Sequence, residues 1–249
     1  MRVRRAAATA GLVLVGIMVL LWTLVPLYHM LVMALTPKEE VFAGNAWPTQ
    51  PTAENFWIVF NQDHFFLRNF WRQLGNSLFV AVSTAVIVIA VAALASFVIG
   101  RMRPRWGHWV SNAALLTYVI PASFLAIPFY KIMANYGLLN NLWALVFATV
   151  TFAAPYAIWV LRLYAESLPL ELDEAGRVDG ASPGQLLVWV YLPLMSPAMV
   201  AVGTYSLLLA WNEYLYAFLL LSSETKVTLP IAMGYFLATD DAPWNLLMA

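Results

Sequence analysis

Cysteine is absent from all 249 residues, which excludes disulfides, thiolate metal ligands and thiol nucleophiles and leaves the redox compartment open. Charge is nearly as scarce. Only 10% of the residues are Asp, Glu, Lys or Arg, against about 25% in an ordinary soluble domain. Thirteen basic residues balance thirteen acidic ones, so the formal charge is zero and nothing favours nucleic acid or a strongly acidic partner. No Gly-Lys pair occurs, so the chain has no phosphate-cradling G-x-x-x-x-G-K loop. The histidines, His29, His64 and His108, are dispersed without an i,i+4 pair, and no metal or catalytic site is expected from them. Internal repeats and low-complexity segments are lacking as well.

What fills the space is apolar. Hydrophobic residues make up 62% of the chain, well above the ~45–50% usual for soluble domains. So few charges cannot cover so much apolar surface in water; the solvent has to be lipid. A spanning helix needs ~20 apolar residues, because the hydrocarbon layer is ~30 Å thick and a helix rises ~1.5 Å per residue. Uncharged stretches between ionised side chains predict five such helices, at roughly 10–34, 77–100, 108–130, 141–163 and 195–220. The runs do not alternate and are too long for barrel strands. The predicted fold is therefore an all-α polytopic bundle, a single domain over 1–249. The opening Met1 to Arg5 resembles the start of a signal peptide. The uncharged run from Ala6 to Pro37 far exceeds a ~7–15-residue signal core, however, and reads as a retained first helix. Eleven Trp and eleven Tyr suit interfacial belts.

Basic residues set the orientation. With the N-terminus inside, Arg2, Arg4, Arg5, Arg101, Arg103, Arg105, Arg162 and Arg177 are cytoplasmic, and the short Arg101–Arg105 cluster carries most weight. Lys38, Arg68, Arg72, Lys131 and Lys226 are then outside. This arrangement leaves two long connections. One is an external loop at about 36–75, rich in Trp, Phe and Pro and expected to lie folded on the membrane surface. The other is a cytoplasmic loop at about 165–193. Near the end, Val227 to Thr239 is too short to span, Asp240 and Asp241 interrupt it, and Trp244 to Met248 reads as the start of another helix.

The cytoplasmic loop has the clearest punctuation. Glu171, Asp173 and Glu174 complement the positive N-terminal dipole of a short helix. Gly180 takes the left-handed turn that ends it. Ser182, Pro183 and Gln185 form a capping box for a second short helix, and Pro193 breaks or kinks the chain beyond that helix. Ala175 and Gly176 are small, so another surface can approach closely. Capping chemistry alone leaves an ordinary amphipathic connector equally open.

The run Glu174-Ala175-Gly176-Arg177-Val178-Asp179-Gly180-Ala181, with Leu192-Pro193 beyond it, resembles the EAA loop of bacterial ABC-importer permeases, and more narrowly the carbohydrate-uptake, maltose-type inner-membrane permeases. Asn76-Ser77-Leu78, Pro128, the Tyr136-Gly137-Leu138-Leu139-Asn140 turn and Trp211-Asn212-Glu213-Tyr214 match that family in kind and order, and Gly176 departs from it by replacing an alanine. The resemblance implies a non-catalytic permease subunit in a bacterial cytoplasmic (inner) membrane. It implies that the chain works with a homologous permease, two ATPase subunits that carry the ATP and Mg, and an external solute-binding protein. The coupling residues would be Glu174, Ala175, Gly176, Arg177, Asp179, Gly180 and Ala181. A sixth span is expected beyond Ala249. The external stretch Ser222 to Pro243 would meet the binding protein, with Gly234, Tyr235 and Phe236 as a flexible turn carrying aromatic contacts.

Other candidates are weaker. Glu213 reads either as a functional intramembrane carboxylate or as an interfacial side chain between aromatic anchors. Pro121, Pro128 and Pro155 lie within spans three and four. With Ser123, Thr151, Tyr156, Asn212 and Glu213 they mark a candidate translocation path, though packing kinks account for the prolines equally well. A secondary, ion-coupled carrier is the alternative; it would favour paired intramembrane charges, and only Glu213 is available. A membrane-embedded enzyme would need convergent ionisable groups inside the spans, and none occur.

Overall fold

A computed structural model describes residues 2–239 and 242–249, with side chains from residue 9 onward. The charges of Arg2, Arg4 and Arg5, and Asp240 and Asp241, therefore fall outside the described side chains. Among the described residues twelve α-helices succeed one another: α1 (Arg2–Ala34), α2 (Glu54–Asn61), α3 (Phe70–Phe97), α4 (Gly107–Leu116), α5 (Ala126–Asn135), α6 (Leu142–Ser167), α7 (Glu171–Val178), α8 (Pro183–Gln185), α9 (Leu192–Trp211), α10 (Leu215–Leu220), α11 (Leu229–Leu237) and α12 (Trp244–Met248). No strand occurs among the described residues. Helices are what lipid demands, since they alone satisfy every backbone donor and acceptor within one segment.

Four helical stretches among the described residues are long and apolar enough to cross a membrane: Thr9–Ala34, Phe65–Met102, Leu142–Ser167 and Pro183–Trp211. The third predicted span differs from a straight rod. Gly107–Val119 and Ala122–Asn135 meet at 91°, and together they make at most a fifth pass. The cause is Pro121, whose ring drives the preceding Ile120 out of the helical region to ψ 118°.

The fifth predicted span is also corrected. It ends at Trp211, ahead of a break and the short α10, and at its other end it does not stop at Pro193. Leu186–Tyr191 forms a wide π-turn that carries α8 directly into α9. Pro193 thereby falls in the first turn of α9, where its missing amide is tolerated.

Contacts cluster in two units, Met1–Phe70 with Met233–Ala249, and Trp71–Ala232. In the first, α1 is exposed from Thr9 to Leu31, as a lipid-solvated helix is. Its C-terminal end is held by Asn55, buried in α2, whose amide donates to the carbonyls of Ala34 (2.8 Å) and Thr36 (3.0 Å) and accepts from Asn245 (2.8 Å). Leu67, Phe236 and Leu246 make a small core beside it, so the predicted external loop folds against residues of α11 and α12.

In the second unit, α6 and α9 pack along their length over two apolar clusters. Ala153, Ala157, Leu161 and Ala165 of α6 are fully buried there with Met195 and Val202. Two hydroxyl pairs cross this interior: Ser96 and Tyr191, 2.7 Å apart, and Thr84 and Thr149, also 2.7 Å apart, where Thr149 donates toward the carbonyl of Leu145 or Val146. Interhelical bonds of this kind contribute about 0.6–2 kcal/mol in a bilayer. Thr84→Val is expected to lower the unfolding free energy by about that amount, and Thr84→Val/Thr149→Val to cost little more than the single change. Steric-trap or denaturant unfolding in bicelles measures it, and fully additive losses would refute the pairing.

Candidate functional site

The segment from α7 to α8 is built as its residues dictate. Acidic Glu171, Asp173 and Glu174 occupy the first turn of α7, and Arg177 the last. Gly180 comes next with φ +81°. Its amide donates to the Arg177 carbonyl at 3.0 Å, and the Ala181 amide to that of Gly176 at 2.9 Å. This is the Schellman termination, satisfying two carbonyls that the end of the helix leaves open. Ser182 caps α8 by accepting from the Gln185 amide, and the Gln185 side chain accepts from the Ser182 amide at 2.8 Å.

Gly176 faces inward. A Cβ there would stand 2.5 Å from Leu186 Cδ2, so the close approach it permits is to the chain's own π-turn. Ala175 is exposed. Sequence reasoning misses two apolar neighbours on the same side as Ala175, Leu172 and Val178, which are 40% and 87% exposed. Their three-residue spacing, which places 172, 175 and 178 in a row on a helix, is the available signal.

Arg101 reads in sequence only as a cytoplasmic charge. It sits in a π-turn, Val98–Met102, at the end of α3 and is 7% exposed. Its guanidinium donates to the carbonyls of Ala165 (3.2 Å), Leu168 (2.9 Å) and Pro169 (2.9 Å), and its Nε pairs with Asp173 Oδ2 of α7 at 2.8 Å. Arg162, 6% exposed, makes a second polar knot. It pairs with Glu166 at 3.6 Å and donates to His108 Nδ1 at 3.3 Å and Asn112 Oδ1 at 3.5 Å.

The candidate path residues lie on several elements. Ser123, Thr151 and Asn212 are exposed, while Tyr156 and Glu213 are half-buried. Thr151 and Asn212 donate to carbonyls one turn earlier, Phe147 (2.8 Å) and Leu208 (2.8 Å). The Tyr156 ring packs at a tilt against Tyr205 of α9, centroids 4.6 Å apart, and Tyr118 donates to the Phe152 carbonyl at 2.6 Å, bringing three tyrosines to one region. Glu213 accepts from the Tyr216 amide at 2.9 Å and so satisfies the open start of α10.

The reading of 234–236 as a flexible turn is corrected. All three residues lie in α11, and Phe236 is buried against Phe66 (5.1 Å) and His64 (6.1 Å); Tyr235 is exposed. Burial, with the Lys38 ammonium adding to it, holds the His64 imidazole below its usual pKa.

Two of the family-like motifs prove to be braces. Asn76 donates to the carbonyls of Thr225 and Val227, both at 3.0 Å, and the Ser77 hydroxyl accepts from the Leu229 amide at 2.8 Å. Asn140, at φ +57°, accepts from the amides of Ser222 (3.3 Å) and Ser223 (3.1 Å), and its carbonyl accepts from Lys226 Nζ at 2.8 Å.

Residues 92–242, which include all of α6 through α11, match the family described as the binding-protein-dependent transport system inner membrane component. An inner membrane ABC transporter permease of Escherichia coli is 30% identical over 92% of this chain and 82% of its own length. The trehalose transport system permease of Mycobacterium tuberculosis is 29% identical over 86% and 77%. Among solved structures, a bacterial ABC transporter involved in import of the acidic polysaccharide alginate superposes with a TM-score of 0.80. It covers all of this chain and 92% of the matched one at 22% identity, a likeness of fold. The chain belongs to the family of binding-protein-dependent inner-membrane components: it is a multi-pass, non-catalytic permease subunit of an ABC importer, whose ATPase is a separate subunit. The ion-coupled carrier finds no support among these matches.

The Schellman turn makes a quantitative demand. Gly180→Val forces a β-branched residue to φ near +81°, a strain of about 1–3 kcal/mol. Thermal unfolding of the purified subunit should fall accordingly, whereas Gly180→Asn, which tolerates this region, should lose less; equal losses would refute the conformational cause.

Proposed function

We propose that this chain is one of two homologous permeases that together enclose the path of a sugar or sugar-like solute, delivered by an external binding protein and driven by two ATPase subunits holding ATP and Mg²⁺. The carrying observation is α7: a short, sharply ended helix at the chain surface with an apolar row, Leu172, Ala175 and Val178, between exposed Glu174, Arg177 and Asp179. A permease of this family has to receive motion from its ATPase, and this row fits a groove on such a partner. Glu174, Arg177 and Asp179 orient the docking; Gly176, Gly180 and Ala181 hold the helix angle. The sugar assignment rests on relatives named for trehalose and for diacetylchitobiose uptake.

The remaining roles belong to the same assembly. The N-terminus, Arg101–Arg105 and α7–α8 lie on the cytoplasmic side, and the segment containing α2 lies outside. Residues 1–249 act as one permease domain in bilayer lipid. Ser123, Thr151, Tyr156, Asn212 and Glu213 line the path, where exposed hydroxyl and amide groups and a half-buried tyrosine ring suit a hydroxylated solute. At the outer face Tyr235, with Gly234 beside it, meets the binding protein, and Phe236 supports it from the core.

Glu174→Arg should leave insertion normal, release the ATPase on purification and abolish uptake; retained ATPase and wild-type uptake from a panel of labelled sugars would refute the docking. The absence of cysteine gives a clean topology test. A cysteine at position 50 should be labelled in intact spheroplasts and one at position 178 only after permeabilisation, and the reverse pattern would invert the orientation.

A further inference from the structure

Arg101 belongs to the end of α3, yet every group its guanidinium contacts belongs to the end of α6 or to α7. The three carbonyls it takes, Ala165, Leu168 and Pro169, are at or just beyond the end of α6, where a helix leaves its last acceptors open and favours a cation. Asp173 is the one buried residue of α7, so its carboxylate is turned inward toward this guanidinium. Apolar packing does not do the same work. A cavity of about 230 Å³ opens between Phe97, Met102, Arg177 and Leu186, so one side of α7 meets the α3 end across a gap that the Arg101–Asp173 pair bridges.

We propose that Arg101 is a positioning residue for coupling: through Asp173 and the α6 carbonyls it fixes α7 to the end of α3, so that the second span moves with the coupling helix. The proposal rests on the reading of α7 as the ATPase-docking element. Without the tie, α7 would be left to its two backbone connections and to contacts such as that with the π-turn at Leu186. Closure of the ATPases would then tilt α7 while α3 lagged behind. The four partners also specify the residue type. A planar fork reaches three carbonyls and a carboxylate together, whereas a lysine ammonium is a point charge that cannot span them.

The test separates position from stability. Removing one member of a buried pair leaves the other uncompensated, whereas replacing both with apolar residues often restores stability. Spin labels on Glu171→Cys and Val98→Cys, in the complete importer in nanodiscs, report the α7–α3 distance by pulsed electron resonance. In the wild type one narrow distance is expected, unchanged on adding ATP and Mg²⁺. Arg101→Met/Asp173→Leu leaves no charge uncompensated but frees three carbonyls; it should unfold below the wild-type temperature and keep its ATPase, yet show a distance that broadens and shifts with ATP and Mg²⁺. Its ATPase rate should lose at least tenfold of its stimulation by the binding protein. Should that pair fail to fold, Arg101→Lys is the second variant, with the same broadening and a smaller loss of stimulation expected. A narrow, nucleotide-independent distance with wild-type stimulation in either folded variant overturns the tie. A wild-type complex that holds no ATPase overturns the docking reading instead, and is distinguished because the label distance at rest still reports the tie.

Discussion

A backbone carbonyl or amide facing hydrocarbon has no water to turn to, and leaving it unpaired costs several kcal/mol. The rest of this structure depends on that constraint. Within a helix the problem solves itself, so the spans are uncharged and nearly featureless. Where a helix ends, bends or meets a proline, a side chain or a closing backbone turn can supply what the ladder cannot. Asn55 takes two carbonyls at the end of α1, Arg101 takes three at the end of α6, and Glu213 takes an amide at the start of α10. Within α9, Pro197 offers no amide to the Pro193 carbonyl, and the Ser196 hydroxyl donates to it at 2.8 Å.

The same constraint explains what could be read from the sequence. Spans were legible because lipid permits few alternatives to a long apolar helix. The α7–α8 punctuation was legible because caps are local: Gly180, Ser182 and Gln185 act within a few residues of themselves. The 91° bend was not, since Pro121 could equally have produced a mild kink, and only packing decides. Phe236 was misplaced for a similar reason. Its position after Gly234 suggested a turn, while the aromatic cluster that buries it comes from residues 64–70, far off in sequence. Arg101 carries no distinguishing signal in sequence, because a positive charge near a membrane edge already has a sufficient explanation in topology.

The family-like motifs gain a physical account from this. Asn76 and Ser77 pin the backbone of 225–229 to the start of α3, and Asn140 pins 222–226 to the turn before α6. Neither needs to touch a solute to be required. Each fixes irregular backbone at the end of a span, where an unpaired group is costly and an alternative conformation is near. A residue of this kind is selected for geometry, and it reads in sequence as a polar exception in an apolar run.

The two faces of α7 then separate cleanly. Its inner face is held at particular points: Gly176 is against Leu186, Asp173 against Arg101, and the Gly176 carbonyl is taken by Ala181. Its outer face, with Leu172, Ala175 and Val178, has no such engagement, and Val178 is 87% exposed. An apolar residue so exposed on a helix otherwise tied down at both ends is poorly accounted for by the subunit's own stability. The ATPase docking proposed above requires a helix tied to the subunit on one side and apolar on the other: a push on its outer face would reach α3 through the Arg101–Asp173 pair that bridges the gap. The small residues of the loop thus divide their roles: Gly176 closes the inner face, and Ala175 keeps the outer one flat.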